Sequence, residues 1–504
     1  MGFASIRSAI VMGVDGHRIS VEVHSSRGIP GLTIVGLPDA SCREARDRVR
    51  AAVLASGIKW PDQRITVNLA PSSTRKVGSA LDLAIAIGVL VASGALDAAL
   101  VRELGFVGEL GLDGTVRPVP GVVPIVDAIG TDTVVVPVDC ATDAELVEGP
   151  FVRSVATLAE VLGALTGEAP WPDHDRPPRP TGGAAELDLR DVRGQPVVRK
   201  ALEIAAAGSH HLLMVGPPGA GKTMLASRLP GLLPELDRTS AMEVSRIHSA
   251  AGQSLSGGLI RRPPLRAPHH SATLVALIGG GTDAMRPGEV SLAHAGVLFL
   301  DELAEFPPTV LDALRQPLEE GVIRVSRARF SAKLPARVLL VAAMNPCPCG
   351  EAGRPGACRC PDGVMARYHR RLSGPLLDRF DLRIDVLRPA VEELLGGDPG
   401  EPTEAVRERV AAARDRAVQR GVRANAELRG SELDTWAPLA PDAHELLADA
   451  LGGGRLSARG LHRVRRVALT LADLAGWDGP LTTAHVGTAL QLRADVRLGA
   501  GVVA

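Results

Sequence analysis

Aromatic residues are scarce in this 504-residue chain, with Phe, Trp and Tyr together making up 2%. Stacking on aromatic platforms is therefore not its main way of holding bases, and its cores must be packed from Leu, Val, Ile and Ala. An excess of either charge is also missing. Lys and Arg number 56 against 57 Asp and Glu, a formal net charge of −1. Any nucleic-acid partner must then be met by a local basic patch, such as the channel of a ring. No apolar run reaches the roughly 18 residues of a membrane span. Residues 1–20 lack the basic-then-apolar layout of an export signal. No membrane association is expected, and a cytoplasmic location is. Only six cysteines occur, and in a reducing cytoplasm metal or redox roles outrank disulfides for them.

A chain this long exceeds one hydrophobic core, and its patterning divides it. Residues 1–165 alternate short β-type runs, at 19–23, 65–69 and 133–137, with Ala/Leu-rich helical stretches, which reads as α/β or α+β. Residues 166–186 are polar and proline-rich and read as an exposed linker. In 187–390, unbroken apolar runs at 212–215, 296–300 and 338–343 predict parallel strands covered on both faces by helices. From 391 to 504 the pattern is helical. In its segment 456–475, Leu461, Val464, Ala468, Leu471 and Ala475 share one helix face, and Arg459, Arg463 and Arg466 fall on the other. No solenoid-type repeat is visible.

The octet Gly216-Pro217-Pro218-Gly219-Ala220-Gly221-Lys222-Thr223 fits G-x-x-x-x-G-K-T and lies between an apolar run and a helical one, the context that pattern needs. Its glycines let backbone N–H groups close around phosphate oxygens, and the helix start adds a favourable dipole. Lys222 would reach the β and γ phosphates of ATP, and the Thr223 hydroxyl would bind Mg2+. The second apolar run ends in Asp301 and Glu302. Asp301 would hold Mg2+ through water, and Glu302 would act as general base on the attacking water. Asn345, at the end of the third run, is placed to orient that water. Arg379 has two readings. It is either a guanidinium delivered to a neighbouring subunit's nucleotide or the partner of Asp378 or Asp381 in an ion pair.

Cys347, Cys349, Cys358 and Cys360 form a C-x-C…C-x-C pair closed by a short Gly/Pro loop. Four thiolates suit a closed tetrahedral Zn2+ site. One-residue spacings are tighter than the common knuckle, so iron–sulfur ligation and free thiols stay open. The cluster follows Asn345 and precedes Arg379, so a metal there would staple an insertion near a subunit interface. Cys42 and Cys140 read as buried small hydrophobes. The basic run 367–371 reads equally as a DNA or subunit contact and as a solvated helix face, and His269-His270 has no chemistry that spacing assigns.

These motifs, in this order, resemble AAA+ ATPases, and among them the magnesium-chelatase-like ComM/YifB family. The resemblance is carried by Gly208-Ser209-His210-His211 ahead of the first strand and octet, by Arg266-Ala267-Pro268-His269-His270-Ser271-Ala272, and by Arg286-Pro287-Gly288-Glu289-Val290-Ser291. Leu314-Arg315-Gln316-Pro317-Leu318-Glu319-Glu320-Gly321 and Leu372-Ser373-Gly374-Pro375-Leu376-Leu377-Asp378-Arg379 add to it. It spans nearly the whole chain. It implies an α/β AAA+ P-loop core with a helical lid. It also implies an ATP-driven homo-hexameric ring associated with DNA branch migration in recombination and natural transformation. By position in the family pattern, Asn345 resembles sensor 1, Arg379 the arginine finger and Arg459 the sensor-2 arginine, a choice over Arg463 that spacing alone cannot make. Two inserts of this branch would face the pore. One is 266–273. The other is a hairpin at 322–333, whose alternation would present Arg327, Arg329 and Lys333 either to phosphates or to solvent.

Residues 1–165 resemble the Lon-protease type of the ribosomal S5-like α+β fold. The carriers are Val67-Asn68-Leu69-Ala70-Pro71, Arg75-Lys76-Val77-Gly78-Ser79-Ala80 and Gly121-Val122-Val123-Pro124. Aligned on Gly78, the nucleophile's place holds Ala80, and the lysine's place holds Val123. A Ser/Lys peptidase needs both groups, so a non-proteolytic scaffold is expected. The alternative for the whole chain is a chelatase-type chaperone for metal insertion or protein remodelling, although the chelatase motor subunit normally lacks such an N-terminal domain.

Overall fold

The computed structural model describes residues 2–72, 75–174, 187–255, 258–281, 285–327, 330–352, 356–396 and 399–493. Most of the expected linker, together with Arg329 and the side chain of Arg327, lies outside the described residues.

The first sheet is built from β1 (Gly2–Met12), β2 (Asp15–Ser26), β3 (Gly31–Val35), β4 (Arg64–Ala70), β5 (Leu104–Phe106), β8 (Thr133–Pro137) and β9 (Phe151–Val155). A small ribbon of β6 (Glu109–Leu110) and β7 (Val116–Arg117) stands beside it. The strand order is β3-β4-β2-β1-β5-β8-β9. β1 and β2 form an antiparallel hairpin in which Met12 pairs with Asp15, and Gly13 takes the left-handed φ of +67° that so tight a loop requires. Alternate residues of β2, Ile19, Val21 and Val23, enter the core. Above them lies the helix Asp82–Ser93, in which every residue but Ser93 is buried. That explains why it reads as one apolar run without a polar face.

The second sheet contains β10 (Leu212–Val215), β11 (Leu265–Arg266), β12 (Val297–Leu300), β15 (Leu339–Met344) and β16 (Leu382–Asp385), all parallel, in the order β11-β12-β15-β10-β16. Between β12 and β15 in the chain lies the antiparallel hairpin β13 (Val322–Arg327) and β14 (Phe330–Pro335). β10, β12 and β15 are buried along their whole length. Leu212 and Met214 face a core shared with Val464, Val467 and Leu469, while Leu213 and Val215 face one with Leu298, Leu300 and Phe306. Two-sided burial is why these strands show no alternation.

The C-terminal helices Thr403–Gln419, Pro441–Gly452, Ala458–Leu474 and Thr483–Gln491 form a lid on the first of these cores. Ser457 caps the third of them, accepting the Gly460 N–H at 3.1 Å. The lid is tethered at Asp381, which is buried. Burial opposes its charge, but His210 (3.3 Å) and Arg463 (2.6 Å) hold its pKa well below the usual carboxylate range. His210 continues the network to Thr470 at 2.8 Å.

The N-terminal sheet joins this core through the helix Val122–Ile129. The Gly121 N–H donates to the Ser249 carbonyl (2.8 Å) and the Val123 N–H to Ser249 Oγ (3.3 Å). Both carboxylate oxygens of Asp143 accept the Leu255 N–H. Thus the position of a Lon-type lysine is a structural joint here. The Ser79 hydroxyl donates to Glu109, and Lys76, fully buried, donates to the Pro71 carbonyl, so these two do not pair with each other.

Candidate functional site

The loop 216–223 leaves β10 and turns into the helix Lys222–Ala226. Gly219 and Gly221 take φ values of +75° and +84°, where a side chain is strained. A Cβ on Gly216 would lie 2.1 Å from the Val386 carbonyl oxygen, so only glycine fits there. Lys222 is buried. Its Nζ donates to the carbonyls of Gly216 (2.7 Å) and Pro217 (3.0 Å) and to Asn345 Oδ1 (3.1 Å). Burial lowers its pKa below the ordinary lysine value, while Asp301 and Glu302 oppose that shift. Thr223 Oγ1 donates to Asp301 Oδ2 at 2.6 Å, and Asp301 Oδ1 accepts the Glu302 N–H at 2.9 Å.

Lys222 bonded to Asn345 and Thr223 bonded to Asp301 thus form one group of two hydrogen-bonded pairs at the C-terminal ends of β10, β12 and β15. Glu302 adjoins it through the Asp301 contact. That edge of an open parallel sheet is where such folds place ligands. Two hard oxygen donors side by side, from Thr223 and Asp301, form a donor set suited to Mg2+.

Glu302 has a left-handed backbone, φ +51°, a conformation costing on the order of 1 kcal/mol for a residue with a Cβ. Its carboxylate meets His270, whose Nδ1 lies 3.0 Å from Oε2. The His270 ring lies 4.0 Å from His269 with the two planes tilted by 35°, and stands edge-on to Phe306. This contact was not legible in the sequence, because it joins residues 32 positions apart with no shared motif.

Arg379 is buried and paired with Glu319, not with Asp378 or Asp381. Asp381 belongs to Arg463, and Asp378 lies near Arg383 and Arg493. With Arg459, His462, Arg463 and Arg466, Arg379 and Glu319 line a cavity of about 220 Å³. No residue of the octet, nor Asp301, Glu302 or Asn345, lines it. Arg459 is exposed and makes no hydrogen bond or ion pair among the described residues. Arg463, in contrast, is held by Asp381 and the Arg379 carbonyl. The chain thus brings Arg379 and Arg459 together with each other, and not with its own loop 216–223.

The sulfurs of Cys347, Cys349, Cys358 and Cys360 lie within 4.8 Å of one another. Burial pushes the Cys347 thiol up to about 12, while the backbone N–H groups of Glu351 and Arg359 bring Cys349 down to about 6. The insertion packs on the octet of its own chain, with Gly350 against Pro218. Of the two expected pore inserts, 266–273 does not offer Arg266, which is held by both oxygens of Glu289 at 2.6 and 2.9 Å. The hairpin buries Ile323, Val325 and Leu334 and exposes Arg324 and Lys333, which face each other across it. Among the described residues, no helix is long and apolar enough to cross a membrane.

Comparison with known proteins agrees with this architecture. The family described as magnesium chelatase, subunit ChlI, matches residues 188–394. Subunit ChlI of Mg-chelatase matches 21–139, and the ChlI C-terminal family matches 400–493. The chain is 48% identical to an uncharacterized protein of Mycobacterium tuberculosis, over 94% of this chain and 95% of that one. It is 44% identical to the competence protein ComM of Haemophilus influenzae, over 99% of both. It is 42% identical to the uncharacterized protein YifB of Escherichia coli, over 99% of this chain and 98% of the relative. With its parallel α/β core and near full-length identity to these relatives, the chain belongs to the ComM/YifB family of magnesium-chelatase-like AAA+ proteins.

Proposed function

We propose that this protein hydrolyses ATP at a site shared between the subunits of a homo-oligomeric ring, a hexamer by the family pattern, and uses the energy to move along branched or single-stranded DNA. The observation that carries the reading is the division of the machinery. Lys222 with Asn345 and Thr223 with Asp301 form two hydrogen-bonded pairs on one loop and the strand ends beside it, whereas Arg379 and Arg459 line a cavity that none of them touches. A chain with both halves apart completes a hydrolytic site only when the arginines of one subunit meet the phosphates of the next.

In this reading Lys222 turns from its loop carbonyls to the β and γ phosphates, Glu302 takes the proton of the attacking water and Asn345 orients that water. Thr223 and Asp301 would hold Mg2+, which supplies charge neutralisation on the phosphates. The four thiols would hold Zn2+. DNA is supported by the exposed Arg324 and Lys333 and by the competence role in the name of the Haemophilus influenzae relative. Branch migration in recombination and natural transformation is the process this activity would serve.

The test is ATP turnover with and without single-stranded or four-way-junction DNA. Stimulation by DNA, lost in Glu302→Gln while ATP binding persists, is the expected result. No stimulation and no DNA binding at low salt would sink the motor reading. ATP binding by Lys222→Ala equal to that of the natural protein would sink the phosphate-loop reading.

A further inference from the structure

The four-cysteine insertion touches the phosphate loop directly. Gly350, between Cys349 and Glu351, has φ +79°, and a Cβ there would lie 2.4 Å from Pro218 Cδ of the octet. The Arg388 guanidinium bridges the same two segments, donating to the Pro218 carbonyl (3.2 and 3.3 Å) and to Glu351 Oε1 (3.2 Å). On its other side the insertion is continuous with Asn345. The Tyr368 hydroxyl donates to the Asn345 carbonyl (3.1 Å), and the His369 ring bonds the Pro346 carbonyl (3.1 Å). Asn345 in turn accepts from Lys222.

The thiols are spaced for one metal ion. Sulfur separations are 3.3 Å for Cys347–Cys349 and 3.8 Å for both Cys347–Cys358 and Cys349–Cys358. A tetrahedron with Zn–S arms of about 2.3 Å separates its sulfurs by roughly 3.8 Å. A multi-iron cluster would have to hold its thiolates apart around several ions, and a spread of 4.8 Å leaves no room for one. The Cys347 sulfur also accepts the Ala352 N–H at 3.3 Å, the kind of outer hydrogen bond that supports a metal thiolate.

We propose that Cys347, Cys349, Cys358 and Cys360 bind a single Zn2+ whose task is to brace the phosphate loop, so that nucleotide affinity depends on the metal. The inference rests on the ATP site proposed at 216–223. Ordering the insertion fixes Gly350 and Glu351. These hold Pro218 directly and through Arg388, and keep the loop in its phosphate-accepting form. An unbraced loop samples that form less often, and apparent affinity falls in proportion.

The experiment uses the full-length protein. Zinc content is measured by mass spectrometry, and binding of a fluorescent ATP analogue is titrated before chelation, after chelation and after Zn2+ is restored. One Zn2+ per chain is expected, with affinity falling about tenfold on chelation and recovering with Zn2+. Arg388→Ala should keep its zinc and yet bind the analogue as weakly as the stripped protein, with no further loss on chelation. Unchanged affinity after complete zinc removal overturns the brace. Zinc content unchanged in Cys349→Ser/Cys358→Ser overturns the site. If the zinc-loaded protein itself binds no ATP analogue, the ATP reading has failed, and the zinc count still reports on the metal site separately.

Discussion

The imidazole of His270 lies 3.0 Å from the carboxylate of Glu302. In the proposed reaction Glu302 accepts a proton from the attacking water, and a carboxylate turned toward an imidazole is less free to meet that water. His270 follows β11 and meets the site at Glu302, so in this reading it acts through Glu302 as a positioning residue. Replacing His270 by Ala should raise DNA-independent ATP turnover several-fold while leaving KM for ATP unchanged, and should diminish the stimulation by DNA. His270→Asn, which keeps an N–H donor, should restore the low basal rate. Steady-state kinetics with and without DNA checks this, and a matched loss of kcat and KM in His270→Ala would point to a merely structural ring.

A shared site makes a prediction that a self-contained one does not. Arg379→Ala should bind ATP normally and lose turnover by on the order of a thousandfold or more, the range for loss of an arginine finger. Glu302→Gln should be equally inactive. Mixed before assembly, the two inactive proteins should recover activity, because some interfaces then pair an intact Glu302 with an intact Arg379 from its neighbour. No recovery in mixed rings would mean that Arg379 serves its own chain, in its observed pairing with Glu319.

Sequence made legible what depends on local pattern. The run at 212–215 becomes β10 because an unbroken apolar segment is explained only by burial on both faces. The octet and the Asp301-Glu302 pair stand out because their residue types and spacing follow a local pattern, and the structure brings Thr223 against Asp301. The partners of charged groups were not legible. Sequence offers Arg379 its neighbours Asp378 and Asp381, yet it pairs with Glu319, 60 residues earlier, while Asp381 takes Arg463. The helix face at 458–474 showed three arginines alike. Only packing separates Arg463, tied to Asp381, from exposed Arg459. Arg266 likewise reads as a free cation until Glu289 is beside it.

Acid should weaken this fold in a definite window. His211 Nδ1 accepts the Leu340 N–H at 3.1 Å, a bond that requires an unprotonated nitrogen. Burial lowers the ring from 6.5 to about 4, with Arg463, His210 and Arg379 adding to the shift and Asp381 opposing it. Between these two values the unfolded chain binds the proton and the folded chain does not, so stability falls as pH drops from about 6.5 to about 4. His248 and His294 are also lowered by burial and add to the same slope. Urea midpoints measured from pH 4 to 8 should show the fall, and His211→Gln should make it shallower. An identical slope in that variant would remove His211 from the account.

The hairpin offers the most direct test of DNA contact. Arg324 and Lys333 are exposed and paired in register on β13 and β14, while Ile323, Val325 and Leu334 anchor the opposite side. Arg324 also touches Glu320, but both side chains are well exposed, and such a pair is weak enough to yield to a phosphate. Each phosphate neutralised contributes about 0.7 to the salt slope of single-strand binding and about 0.9 for duplex. Arg324→Ala/Lys333→Ala should therefore weaken DNA binding for all sequences alike and reduce the slope by about 1.4 to 1.8. ATP turnover without DNA should be unaffected, since neither residue adjoins the octet. A slope equal to that of the natural protein would show that the hairpin faces solvent, and the basic surface for DNA would have to be sought elsewhere.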